Sequence, residues 1–190
     1  MHPKIVEGQL PYINKHKVLV KITKPRSTKL GDYRNPRFNG QHQITINGNL
    51  NHHAFAVTFL HEMAHLLCYE AFKNKVKPHG PEWKSFFKNL SKPYLDAGIF
   101  PVDVETALKI YFTNPSASSC ADPQLYKVLN SYDEEEYMYV EDVEIGSTFI
   151  LENGRTFEKG QKQRTRFLCQ CLETKKIYSV SGVAKVKRLI

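Results

Sequence analysis

No apolar run in these 190 residues approaches the roughly 18 needed to cross a membrane, so no membrane partner is expected. Met1 to Leu10 has no apolar core behind a basic start, so no secretory signal is expected there. Only four cysteines occur (Cys68, Cys120, Cys169 and Cys171), too few and too scattered for a disulfide framework. A reducing compartment, the cytoplasm or nucleoid, is the expectation. Internal repeats and low-complexity tracts are missing too, which excludes solenoids and long disordered arms.

Positive charge is plentiful but uneven. The net charge is +8. Residues 1–90 carry 14 Lys/Arg against 5 Asp/Glu (+9), residues 91–145 carry 3 against 11 (−8), and residues 146–190 carry 10 against 3 (+7). Basic flanks of this kind attract polyanions, or simply keep two faces solvated.

Periodicity divides the chain. Val18 to Thr23, Leu30 to Arg34 and Gln43 to Asn47 read as three short strands, with turns at Lys24 to Ser27 and at Asn39-Gly40. Three strands in succession predict a short antiparallel sheet. From Ala54 to about Lys73 the apolar residues recur at helical spacing, with Asn49 or Asn51 as cap. Pro81 opens a further helix to about Leu90, and shorter helices are predicted at Asp103–Tyr111 and Pro123–Asn130. An acidic linker is expected over 132–142. Beyond it, residues 147–151, 164–171 and 177–180 read as strands of a small β-module, residues 143–190. The fold class is α+β.

Chemistry concentrates at His61-Glu62-Met63-Ala64-His65. Residues four apart on a helix lie one turn apart on one face, so both imidazoles can reach one zinc ion at about 2 Å. Glu62 is rotated about 100° from His61, where it can reach a water on the metal rather than the metal itself. The helix is apolar almost all round, and a buried helix carries His-Glu-His only if those groups have partners. A catalytic zinc needs a third protein ligand and an open fourth position. The Gly and His that a short-spacer site would need three and six residues on are Cys68 and Ala71 here. His79 and Glu82 remain as candidates. His79 is favoured, because Gly80 permits a tight turn and Glu82 is explained by the helix dipole. Metal ligands are therefore expected at His61, His65 and His79, with Zn2+ as cofactor and Glu62 as catalytic base. Tyr33 and Arg34 are candidate electrophilic helpers, with structural roles in the sheet preferred. His52 and His53 read as capping or surface residues, His42 as part of the third strand, and His2 and His16 as terminal or exposed; Cys68 reads as a core residue.

In order, the chain shows Lys29-x-Gly31-x-Tyr33, the strand Ile44-Thr45-Ile46, His61-Glu62-x-x-His65 and His79-Gly80-x-x-Trp83-Lys84. From Val18 to Leu90 it resembles the SprT-like zinc metalloproteases, the family that includes the Spartan proteases. The resemblance implies a zincin-like core, an active-site helix beside a short sheet, over residues 1–131. It implies the same three zinc ligands and the same base. It also implies a protein substrate, cleaved when crosslinked to DNA, and hence single-stranded or damaged DNA as a partner. The chain departs from many members, which end in a zinc ribbon with two cysteine pairs. Cys169-x-Cys171 alone cannot supply four ligands, so residues 143–190 are expected to lack a metal. An extended substrate is expected to pair with the strand around Ile44. Lys159, Lys162, Arg164 and Arg166, interleaved with Phe157 and Phe167, form a candidate nucleic-acid surface, set against the stronger reading that both phenylalanines are core residues of a very small β-module and the charges keep it soluble. Two other classes remain: a nucleic-acid-binding module with a structural or vestigial zinc, and a zinc hydrolase of small amides.

Overall fold

The computed structural model describes residues 1–26, 29–37, 40–113 and 122–190. It forms two compact units, Met1–Asp133 and Glu134–Ile190. Ser27 and Asn39, from two of the expected turns, and Cys120 lie outside the described residues.

The first unit runs α1 (Pro3–Lys15), β1 (Leu19–Thr23), β2 (Gly31–Arg34), β3 (Gln43–Asn47), α2 (His52–Phe72), α3 (Pro81–Asp96), α4 (Val102–Tyr111) and α5 (Pro123–Asn130). Helix α1 is not legible in the hydrophobic pattern. Gly8 and Pro11 lie inside it, and only Ile5 and Gln9 are buried. Gly8 is required where it stands: a Cβ there would fall 2.3 Å from the Tyr94 hydroxyl on α3. Gln9 Nε2 donates to that same hydroxyl at 2.9 Å.

The sheet is not antiparallel throughout. Its order is β1-β3-β2, with β1 parallel to β3 and β2 antiparallel to β3. After β1 the chain crosses to the far edge to form β2, then returns through the centre as β3. β3 is buried along its whole length, whereas β1 and β2 are edge strands. An extended substrate therefore cannot pair with the strand around Ile44, whose two sides are already taken.

Helix α2 is the centre of this unit. Asn51 caps it, its side chain accepting from the backbone N–H groups of His53 and Ala54. Its apolar residues point every way, and Ala54, Val57, Leu60, Met63, Ala64 and Leu66 are all buried. Full burial of a side chain such as Leu66 contributes about 1.5–3 kcal/mol. Helix α3 packs along it through Trp83, Phe87 and Leu90 and continues past Pro93 to Asp96, longer than its apolar pattern suggests.

The second unit is a six-stranded sheet of order β4-β9-β5-β6-β7-β8, formed by β4 (Met138–Tyr139), β5 (Thr148–Leu151), β6 (Thr156–Gln163), β7 (Arg166–Cys171), β8 (Ile177–Ser181) and β9 (Lys185–Leu189). A 3-10 turn, Val140–Asp142, follows β4, so the end of the acidic stretch 132–142 is ordered in this unit. Cys169 and Cys171 alternate with exposed residues along β7 and both face the core. Among the described residues, no helix is long and apolar enough to cross a membrane.

Candidate metal centre

His61 and Glu62 lie in the buried middle of α2, and His65 lies one turn on, half-buried. The Nε2 atoms of His61 and His65 are 3.2 Å apart. His79 enters from the loop between α2 and α3, its Nε2 3.3 Å from that of His61. The donor atoms of the three histidines lie within 4.8 Å of one another. Nitrogens bound tetrahedrally to one zinc at about 2.0–2.1 Å sit roughly 3.3 Å apart, so this spacing suits a shared ion.

The residues fit the metal chemically as well. Burial pushes the pKa of His61 well below its ordinary value, with the charges of His65 and His79 adding to the effect. Burial, then the charge of His79, takes His65 down to about 3, and burial lowers His79. All three are neutral imidazoles near pH 7, the form that ligates zinc. The Trp83 ring is 1 % exposed and closes the back of the cluster, 4.6 Å from His61, 5.1 Å from His65 and 4.7 Å from His79 between ring centres. Among the described residues, two buried nitrogens here, His61 Nδ1 and Trp83 Nε1, have no hydrogen-bond partner.

The turn that delivers His79 stores strain on the histidine itself. His79 adopts φ 57°, in the left-handed region, whereas Gly80 has φ −71° and opens α3 as its cap. A non-glycine residue held there costs about 1–2 kcal/mol, a cost usually met at functional sites. The steric demand on Gly80 is separate: a Cβ would lie 2.9 Å from the Lys77 carbonyl oxygen. Glu82 stays outside the converging set.

Glu62 faces β2. A Cβ on Gly31 would lie 2.6 Å from Glu62 Oε1 and 2.8 Å from its Cγ, so only glycine leaves the carboxylate its place. Burial pushes the Glu62 carboxyl up to about 8, the Asp32 charge adds to this, and the Tyr33 backbone N–H donates to the carboxylate and opposes it. A dication beside the group would draw it down again.

Tyr33 and Arg34 are engaged elsewhere. The Tyr33 hydroxyl is 2.8 Å from His42 Nδ1, and its ring stacks on His65 at 6.5 Å. Arg34 pairs with Asp32 at 2.9 Å. His53 packs on Tyr132 and His52 at the start of α2, away from the centre. Cys68 is buried, its thiol pKa raised by that burial, and among the described residues it joins no ligand set. Beside His65 opens a cavity of about 370 Å³, walled by Tyr33, Tyr69, Val76, Pro78 and Trp83, with Lys73 and Lys77 also lining it.

In the second unit the core reading of the two phenylalanines holds and the stacking alternative does not. Phe157 and Phe167 are core residues and cannot stack on bases. Lys159 is 4 % exposed, and its ammonium donates to the carbonyl oxygens of Glu141 and Val143 over the Phe167 ring. Lys162, Arg164 and Arg166 are exposed. No group of three metal-ligating side chains occurs in this unit among the described residues.

The histidines of least apparent interest proved the most misleading in the sequence. His16 and His42, from separate elements, converge with Glu70 in a second cluster within the first unit. Nothing in their spacing signals it.

The model of the SprT-like family matches residues 4–106. No match was found among curated proteins or among solved structures.

Proposed function

The match covers more than half of its residues, so the chain belongs to the SprT-like family, and from that premise we propose that it is a zinc-dependent endopeptidase with a zincin-like core. The observation that carries this reading is the convergence of three neutral imidazole nitrogens beside a buried carboxylate one residue from the first ligand. His61, His65 and His79 would hold the ion. Zinc supplies Lewis acidity there and brings the pKa of water to near 7.

The protein's own groups do the rest. Glu62 takes the proton of the attacking water on its carboxylate and returns it to the departing amine. Gly31 and the Tyr33 backbone N–H hold that carboxylate in register. Trp83 and Phe87 exclude water from the inner side of the cluster. The substrate lies extended along β2, the sheet edge next to Glu62, and one of its side chains enters the cavity beside His65.

The substrates in this reading are DNA-bound or DNA-crosslinked proteins in the cytoplasm or nucleoid. Family membership and the net +9 of residues 1–90 support it. A nucleic-acid-binding module with a structural zinc is the competing class. Such a site is closed by four protein ligands, whereas three converge here among the described residues, and it has no use for a buried base. The test is zinc content together with casein and self-cleavage assays, with and without single-stranded DNA, for the wild type and Glu62→Gln. Zinc-loaded wild-type protein that cleaves nothing under any of these conditions overturns the proposal.

A further inference from the structure

Three side chains from distant parts of the first unit meet behind β2. His16 caps the C-terminus of α1, His42 immediately precedes β3, and Glu70 lies in the last turn of α2. His42 is pinned by its backbone, its carbonyl oxygen accepting from the Leu19 N–H at 2.8 Å. Glu70 Oε2 is 3.7 Å from His16 Nδ1, and Glu70 Oε1 is 3.4 Å from His42 Nε2. All the donor atoms lie within 4.8 Å of one another.

These separations are poor for hydrogen bonds, which cluster at about 2.7–3.2 Å. They suit ligands arranged around a common ion, whose donors at about 2.0–2.2 Å lie roughly 3.3–3.6 Å apart. The surroundings have the form of a metal site. His42 Nδ1 is tied to the Tyr33 hydroxyl at 2.8 Å, and a partner on the far ring nitrogen of this kind orients a ligating imidazole. In the tautomer that donates Nδ1–H to that hydroxyl, the Nε2 lone pair faces Glu70 and is free to ligate an ion. His16 and His42 are largely buried, and Glu70 is open enough for an ion to enter. Lys73 now supplies positive charge at 2.7 Å from Glu70 Oε1, and its half-exposed side chain can swing into solvent when an ion replaces it.

We propose that His16, His42 and Glu70 form a second metal site, selective for a divalent transition ion such as zinc. Two imidazoles and one carboxylate are a borderline donor set that favours zinc over magnesium or calcium, which prefer all-oxygen shells. Bound there, the ion ties the end of α1 to the end of α2 and to the entry of β3. Through His42 it also fixes Tyr33, whose ring stacks on His65. The site is independent of the peptidase reading, since none of its ligands belongs to the first cluster.

The test is the zinc retained by the full chain after chelation, reloading with a few equivalents of Zn2+ and gel filtration. Two zinc ions per chain are expected for the wild type. His16→Ala with Glu70→Gln should retain one, His79→Ala one, and the three changes together none. Circular dichroism confirms that each variant is folded. Reloading with Co2+ gives visible absorption from each occupied site, and the His16→Ala, Glu70→Gln protein should lose one set of bands. A wild type with one zinc, lost in His79→Ala and kept in His16→Ala with Glu70→Gln, overturns the second site alone. A zinc kept in His79→Ala and lost in the other variant supports the second site and removes the first.

Discussion

Gly31→Ala isolates the placement of the Glu62 carboxylate from everything else in the centre. The new methyl would sit 2.6 Å from Glu62 Oε1, 2.8 Å from Glu62 Cγ and 2.7 Å from Thr58 Cγ2. Ordinary contact begins near 3.4 Å, so each neighbour must give by roughly 0.6–0.8 Å. The φ of Gly31 is not in the left-handed region, so alanine meets no backbone strain and the effect is steric alone. Overpacking of this kind costs about 1–3 kcal/mol, or roughly 3–12 °C in Tm for a unit of this size. A catalytic group displaced by nearly 1 Å loses about 100-fold in rate. His61, His65 and His79 are untouched, so zinc content should stay at the wild-type level. Casein cleavage per zinc-loaded chain, measured beside a thermal melt, reads both effects. Adding Thr58→Ser removes one of the clashes and should restore part of the Tm while leaving activity low. Wild-type turnover in a folded, zinc-loaded Gly31→Ala protein would refute the role given to Glu62.

Glu62→Gln should keep zinc and fold and lose proteolysis, because the residue faces the water rather than the metal; metal analysis with the casein assay decides. His79→Ala should lower zinc occupancy strongly and Glu82→Ala should not, since Glu82 lies outside the converging donors; if Glu82→Ala is the variant that loses zinc, the ligand assignment fails. Phe157→Ala should destabilise the second unit by about 3–5 kcal/mol as a core deletion, seen in chemical denaturation; an unaltered unfolding curve with weaker binding of single-stranded DNA would restore the stacking role. Glu173 is held down at about 2, first by its hydrogen bond with the Cys171 thiol and then by the Thr156 backbone N–H. A carboxyl depressed on folding stabilises above its ordinary value of 4.5 and loses that contribution as pH falls toward 2. Glu173→Gln should therefore flatten the acid limb of the stability curve between those values, and an unchanged limb counts against the hydrogen bonds.

The first cluster was legible because a helix places His61 and His65 one turn apart whatever surrounds it, and Glu62 takes its angle from the same local geometry. The apolar run from Ala54 to Leu67 marked α2 as buried for the same local reason. His79 was within reach because a short loop separates it from α2, though the strain lies on the histidine and not, as the turn suggested, on Gly80. Strand alternation explains why Cys169 and Cys171 both face a core. The sheet was harder. Each strand carries its own β-branched signal, but which strand lies between the others is a long-range matter, and β3 took the centre. Helix α1 was hidden because Gly8 and Pro11 weaken its local signal while contact with Tyr94 sustains it. The core role of Phe157 and Phe167 was legible from the alternation of a very small β-module, but the inward turn of Lys159 was not. His16, His42 and Glu70 are the extreme case. No periodicity joins residues so far apart in the chain, and they become neighbours only when α1, β3 and α2 dock. Local geometry repeats every turn or every second residue and so leaves a trace in the order of amino acids; packing between distant segments has no period, and the sites it builds leave none.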